Sequence, residues 1–367
     1  MAPIQPNGVV GILGGGQLAR MLAMAAARLG LNTHIFSPEP DCPAAAVCAA
    51  HTIAPYTDAD ALARFGRLVD VVTYEFENVP AETVDVLERA GVTVAPGARA
   101  LAVAQDRLIE KEFVRSIGAM TAPFEGVDSA EALASALTRI GRPAILKTRR
   151  LGYDGKGQTV IGAGALDNAE TWREATAKAF AELGARPSIL EGFVDFEFEM
   201  SVIGARSRSG DVALYDPPKN EHRGGILRRS SVPSPASAAT IATAFAITRK
   251  MLESLEYVGV IGVEFFILKD ASVLVNEFAP RVHNSGHWTI EACAASQFEQ
   301  HIRAVAGWPL ADPQRHSDAV MANLIGDDID RWQAFAREPH TGVHLYGKRD
   351  AAPGRKMGHV TTLTPKS

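Results

Sequence analysis

Apolar and polar positions along the chain follow two periods that alternate in long stretches. From Val9, VVGILGGGQLARMLAMAAARLGLNTHIFSPEP gives an apolar run, a glycine turn, an Ala- and Leu-rich stretch with helical spacing and a second apolar run, which is a βαβ unit. HTIAP at His51 and VDVVTYEFENVP near Val71 read as further strands, with DADALARFGRL and AETVDVLERAG as helices between and after them. One parallel, Rossmann-like sheet follows from this alternation. A charged helix ending at Gly118 and a Pro-containing entry place the first domain at residues 1–120. PAILK, QTVIGAG and SILEGFVDF then supply strands for a small second domain, 121–194. The remainder, 195–367, opens on FEFEMSVIGA, whose alternation sets Glu197 and Glu199 on one face and Phe196, Phe198 and Met200 on the other. DPPKNEHRGGILRRSSVPSP reads as a polar, basic, turn-rich segment, and ATAFAITRKMLESLEY as a helix. VGVIGVEFFILKD and ASVLVNEFAPR are adjacent strands across a tight KDA turn, and TIEACAASQFEQHIRAVAG is one amphipathic helix capped by Gly307. Near the end, HLYGKRDAAPGRKMGHVT sets Lys348, Arg355 and Lys356 around a Pro-Gly turn between strands.

Composition narrows the function classes. With 47% hydrophobic residues there is ample material for two or three cores, and a net charge of -5 provides no global basic field for nucleic acid. Cys42, Cys48 and Cys293 have neither metal-ligand spacing nor an even count. They suit a reducing compartment. No apolar run is long enough to span a membrane, and MAPIQPNG lacks the pattern of an export signal, so a cytoplasmic protein is expected.

Several clusters carry candidate chemistry. KTRRLGYDGKGQ, from Lys147 to Gln158, is a glycine-rich cationic loop between two strands, suited to cover phosphate with backbone N–H groups and positive charge; a plain hairpin loop would use the same glycines for its turn. Gly14, Gly16 and Ala19 match the dinucleotide fingerprint, with Glu39 near the place of a ribose-binding acid, so an NAD oxidoreductase is a rival. Glu75 and Glu77 stand at a strand's C-terminal end, where open α/β sheets bind ligands, or are solvated there with Asn78 capping the next helix. Arg107 and Lys111 share a helix face. Glu191 sits where a strand turns, in position for an adenine or ribose, and Glu199 is a second ribose candidate. Glu264 and Glu277 are single acids inside apolar strands. Burying two carboxylates side by side costs several kcal/mol each unless a dication or separate arginines neutralise them, and magnesium with substrate phosphates meets that need. Arg281, His283 and Asn284 follow in a glycine-containing turn suited to a small oxyanion.

In this order, the strand lysine, glycine lid, EGFV turn and paired acids resemble the ATP-grasp ligases. GGGQLARM, YEFENVP, RRLGYDGKGQ, NEFAPRVHNSGHW and YGKRDAAPGRKMGH are similar to the branch of that family that serves purine biosynthesis. The resemblance runs over nearly the whole chain and implies a three-domain ATP-grasp fold and a homodimer. It also implies the conversion of ATP, bicarbonate and 5-aminoimidazole ribonucleotide into N5-carboxyaminoimidazole ribonucleotide, ADP and phosphate. By the same resemblance Arg107, Lys147, the lid Gly152, Tyr153, Asp154, Gly155, Lys156, Gly157 and Gln158, then Glu191, Gly192, Phe193, Val194, Glu199, His222, Asn276 and Glu277 would contact ATP. Glu264 and Glu277 would hold Mg2+, and Arg281, His283 and Asn284 the bicarbonate or carboxyphosphate. Gln17, Glu75, Tyr153, Asp154, Lys348 and Arg355 would hold the ribonucleotide, with Asp154 a candidate proton acceptor. A sibling ligase joining another acid to an amine, or a nucleotide sensor without catalysis, would share part of this machinery.

Overall fold

The computed structural model describes residues 2–152, 157–162 and 169–367. Three sheets organise them. The first is parallel, in the order β3-β2-β1-β4: β1 (Val9–Leu13), β2 (Asn32–Ser37), β3 (Ala50–Ile53) and β4 (Val71–Tyr74). Helices α1 (Gln17–Arg28), α2 (Ala59–Gly66) and α3 (Ala81–Arg89) connect or follow these strands, and α4 (Ala98–Ala104) and α5 (Arg107–Ser116) lead away. Asp58 and Asp106 cap α2 and α5 by accepting backbone N–H bonds, an arrangement that contributes about 1 kcal/mol per helix. Asn78 is not a cap: Pro80 stands at the head of α3.

The second sheet, antiparallel in the order β5-β8-β6-β7, contains β5 (Phe124–Val127), β6 (Ala144–Thr148), β7 (Gln158–Ile161) and β8 (Ser188–Gly192). With α6 (Ala130–Ile140) and α7 (Ala169–Glu182) it has a small core of its own around Leu133, Leu137, Leu146 and Leu190.

The third sheet has nine strands: β9 (Phe196–Arg206), β10 (Val212–Leu214), β11 (Lys219–Arg223), β12 (Ile226–Val232), β13 (Gly259–Leu268), β14 (Val273–Ala279), β15 (Ser317–Ile325), β16 (Thr341–Leu345) and β17 (Lys356–Pro365). Helices α8 (Ala238–Ser254), α9 (Thr289–Ala292) and α10 (Gln297–Ala306) pack on it. The polar 216–235 segment, read as turn-rich, is the β11–β12 hairpin in the middle of this sheet. Gly224 and Gly225, both at positive φ, make the tight turn that two-residue hairpins require. The single helix expected over 289–307 is two. Cys293 is extended, and Ser296 starts α10 afresh by accepting the Glu299 N–H; Gly307 does end it, at φ 75.

The first domain and the large sheet share one core, in which Leu22 and Ile35 join Trp288, Ile302 and Val305, with α1 against α10. Buried His301 fixes this junction. Its Nε2 lies 2.7 Å from Thr73 Oγ1, and its Nδ1 accepts the Val260 N–H at 3.1 Å. A second core packs Phe113 and Val114 of α5 against Val263, Val275 and Phe278. The three sheets therefore meet around a cleft of about 580 Å³, the size of an ordinary ligand site.

Candidate active site

Two strands supply the acids. Glu264 on β13 and Glu277 on β14 are direct cross-strand partners, and both face the cleft. The ladder slips immediately afterwards: Phe265 pairs with Val275, leaving Asn276 as an extra residue. This bulge brings Asn276 to the cleft beside Glu277, although strict alternation would turn it to the opposite face. A similar slip at the other end of β13 undoes the expected face of Phe196. Its ring stacks on cleft-lining Phe266 at 4.7 Å and does not join buried Phe198 and Met200.

Helix α5 grips the acid-bearing strand through residues at i, i+3 and i+4. Arg107 Nη1 donates to Glu277 Oε2 at 2.6 Å, the Glu110 carboxylate accepts the Phe278 N–H at 2.6 Å, and Lys111 Nζ donates to the Asn276 carbonyl at 2.6 Å. Burial would push the Glu277 carboxyl up, but Arg107 and Lys147 hold it well below the usual carboxylate range. Burial and the charge of Glu277 have the reverse result at Glu110, which is pushed up to about 8. A carboxyl raised in the folded state contributes its stability below the unfolded value and loses it as pH rises through the folded one. In metal-free buffer, Glu110→Gln, which keeps an acceptor for Phe278, is therefore expected to equal the parent below pH 4.5 and to exceed it by a few kcal/mol above pH 8. Urea unfolding at the two extremes measures this. Equal stability at high pH would show that Glu110 is not a suppressed acid.

The lid's root is fastened to the same helix. Arg149 makes a two-pronged pair with Asp106 at 2.9 and 2.8 Å, Arg150 adds a third bond at 3.3 Å, and Arg107 Nη2 donates to the Gly152 carbonyl at 3.3 Å. Lys147 on β6 lines the cleft, with its ammonium 3.2 Å from Glu191. Glu191, expected to contact adenine or ribose through its carboxylate and backbone, stands beside Lys147 at the end of β8. The carboxylate is buried between Lys147 and Lys111, at 3.2 and 3.3 Å, behind the cleft wall. Glu199 and His222 do face the cleft and pair at 2.7 Å. Burial opposes the charge on His222, yet that bond and the nearby Glu264 raise its pKa overall.

Glu75 changes the reading of the glycine turn. Its carboxylate accepts the N–H groups of Gly16 and Ala19 at the head of α1, although burial pushes its pKa up. A Cβ on Gly14 would lie 2.3 Å from Glu75 Cγ, and one on Gly16 2.8 Å from its Oε1. The glycines therefore make room for an internal carboxylate at the place where a dinucleotide's pyrophosphate would sit. Gln17, the first residue of α1, lines the cleft beside it. Glu77 turns the other way, to Arg281 at 2.5 and 3.3 Å.

The turn after β14 completes the cleft. Arg281, His283 and Asn284 all border it. His283 fits because β13 carries Gly262 beneath it; a Cβ there would lie 2.5 Å from the histidine's own Cβ. Both amide atoms of Asn284 are buried with no hydrogen-bond partner among the described residues, which leaves a free donor and a free acceptor at the cleft. Gly152 and Gln158 line the cleft, whereas Gly157, Gly192, Phe193, Val194, Lys348 and Arg355 do not. Lys348 donates to the Lys356 carbonyl at 2.7 Å and Arg355 is exposed, both on the segment between β16 and β17. Tyr153, Asp154, Gly155 and Lys156 lie outside the described residues. Sequence reasoning missed Asp106, Glu110 and Tyr346, while Lys356, read as part of the cationic tail cluster, is the member of that cluster that lines the cleft. For the helix there was a signal: 107, 110, 111 and 114 form one face, and Val114 belongs to the core.

A strand lysine that leads into a glycine-rich loop, in one cleft with paired carboxylates on a neighbouring antiparallel sheet, defines the ATP-grasp ligases. The comparisons agree: residues 112–298 match the model of the ATP-grasp domain, and the chain belongs to that family. Residues 8–105 match the ribonucleotide synthetase preATP-grasp domain and 319–367 the phosphoribosylaminoimidazole carboxylase C-terminal domain. The N5-carboxyaminoimidazole ribonucleotide synthase of Brucella melitensis is 52% identical over 364 residues, 99% of this chain and 98% of that protein. Among solved structures, an ADP complex of N5-carboxyaminoimidazole ribonucleotide synthetase is 37% identical with TM-score 0.92, covering 99% of this chain and 94% of that one. The synthase of Aspergillus clavatus, in complex with ADP and 5-aminoimidazole ribonucleotide, is 29% identical with TM-score 0.90, covering 99% and 95%. Within the ATP-grasp ligases, the chain is a member of the N5-carboxyaminoimidazole ribonucleotide synthase family.

Proposed function

We propose that this ATP-dependent carbon–nitrogen ligase joins bicarbonate to the amine of 5-aminoimidazole ribonucleotide, giving N5-carboxyaminoimidazole ribonucleotide, ADP and phosphate. The observation that carries the reading is one continuous cleft. It runs from Gln17 and Glu75 in the first domain, past the unpaired Asn284 amide, to Glu264, Glu277 and Lys147.

Bicarbonate is a poor electrophile. When its oxygen attacks the γ-phosphorus of ATP, the bond to ADP breaks and carboxyphosphate forms; the amine then attacks the carboxyl carbon and phosphate leaves. Lys147 and Arg107 would balance charge on the phosphates, while Arg281, His283 and Asn284 would hold and orient the anion. Water would destroy carboxyphosphate, so a lid rooted on Asp106 has to exclude it. Asp154 in that lid is our candidate for the amine's proton. Gln17, Glu75, Lys348 and Arg355 would position the ribonucleotide. Mg2+ fits the donor set of two oxygen-only carboxylates on adjacent strands, Glu264 and Glu277, with phosphate oxygens completing its shell. When bound it would neutralise developing phosphoryl charge. We further propose a homodimer in the cytoplasm. The thiols of Cys42, Cys48 and Cys293 are free, and no helix among the described residues is long and apolar enough to cross a membrane.

The test is ADP release with ATP and 5-aminoimidazole ribonucleotide, with and without bicarbonate in degassed buffer. Release should require both substrates. Turnover indifferent to bicarbonate, or restored by formate or an amino acid in its place, would shift the assignment to a sibling ligase.

A further inference from the structure

Behind His283 runs a chain of buried polar side chains that none of the site contacts above requires. Ser230 Oγ donates to Asn220 Oδ1 at 2.7 Å, Asn220 Nδ2 donates to Ser201 Oγ at 2.9 Å, and Ser201 Oγ donates to Ser285 Oγ at 2.6 Å. Ser285 Oγ lies 2.8 Å from His283 Nδ1. The three serines are fully buried and Asn220 is 4% exposed. The strand register builds the chain, because Asn220 is the cross-strand partner of Ser230 and Ser201 that of Glu264. Four buried polar side chains, three on the sheet and Ser285 in the turn after β14, are costly unless every member is satisfied, so their connectivity has to be used for something.

The chain has a direction. A hydroxyl carries one proton, and an amide NH2 can only donate. Ser201 accepts from Asn220, so its own proton goes to Ser285, and the Ser285 proton is left for His283 Nδ1. The backbone N–H of Ser285, which cannot reverse, also points at that nitrogen from 3.4 Å. Two donors converging on Nδ1 make it an acceptor.

We propose that Ser285, Ser201, Asn220 and Ser230 are positioning residues that fix the ring of His283 in the Nε2–H tautomer. The imidazole then presents a donor to the cleft, where its Nε2 lies 3.2 Å from Glu264 Oε1. An anion held in this turn meets an N–H and not a lone pair. Given the ligase reading above, His283 orients the bicarbonate oxygen and does not receive the amine's proton, which requires another acceptor.

The tautomer is measurable in the full chain without nucleotide or substrate, so the outcome is separate from that of the turnover assay. Long-range proton–nitrogen correlation spectra of protein labelled with 15N-histidine distinguish the two ring forms. The His283 signal is assigned by its loss in His283→Gln. The expected pattern is Nε2–H alone; an Nδ1–H pattern in the parent protein overturns the proposal and needs no variant. In Ser285→Ala, which removes the 2.8 Å donor, the single pattern should be lost to a mixture of tautomers. A pure Nε2–H pattern in that variant would show that the chain does not set the ring, and would equally overturn the proposal.

Discussion

Glu277→Gln is expected to lower kcat for ATP turnover by about two to three orders of magnitude, the range seen when one preorganised electrostatic contact to a reacting group is removed. The side chain is isosteric, and its amide oxygen can still accept from Arg107, so the 2.6 Å contact has a neutral replacement and the fold should persist. What disappears is the formal charge. Glu277 is held ionised by Arg107 and Lys147 against its burial, so it is an anion at every working pH and available to a dication without a proton being removed first. The cost should therefore appear as a loss of kcat together with a raised magnesium requirement, and little change in melting temperature. Glu264→Gln should behave alike, although His283 at 3.2 Å is its only ion-pair partner among the described residues. Undiminished turnover in either variant would remove the paired-acid site as the place where phosphoryl charge is neutralised.

Much of this arrangement was legible in the sequence because it rests on local signals. Two acids stranded in apolar runs announce a charged partner, since nothing else makes their burial tolerable. The parallel sheet of the first domain and the KDA hairpin follow from period and turn chemistry in the same way. What stayed hidden depends on register. Asn276 reaches the cleft through a bulge that alternation does not reveal, and Phe196 changes face through another. The β11–β12 hairpin reads as loop because its polar residues suggest solvent; the sheet instead turns Asn220 and Ser230 inward, onto a buried network. Glu75 and Glu191 were legible as candidate ligand contacts, but their partners within the protein were not. Those partners, the head of α1 and the pair Lys111–Lys147, lie 44 to 80 positions away and only the fold brings them together.

Glu191→Gln provides a sharp test of what the Glu191 carboxylate does in the fold, with an effect on stability of about 3–5 kcal/mol, typical when one member of a buried ion cluster is removed. Glu191 is the shared counter-ion of two ammonium groups, and Lys111 is 2% exposed. Without the carboxylate, Lys111 has only neutral acceptors, the new amide oxygen, Thr121 Oγ1 and the Asn276 carbonyl, and Lys147 repels it. Burial already lowers the Lys111 pKa, with Glu191 opposing the fall, so the variant should lower it further. For a lysine depressed in the folded state the stabilising form is the neutral one, present at high pH and lost as pH falls through the folded value. The deficit of the variant should therefore be largest near pH 7 and shrink as pH approaches 10, which paired denaturant titrations would detect. A carboxylate serving only as a nucleotide contact predicts the opposite: parental stability at both pH values and a loss confined to ATP affinity. Since the Lys111 ammonium also holds the Asn276 carbonyl beside Glu277, shedding its proton in the variant weakens that grip on β14. Stability recovered at pH 10 should therefore not bring back turnover in parallel.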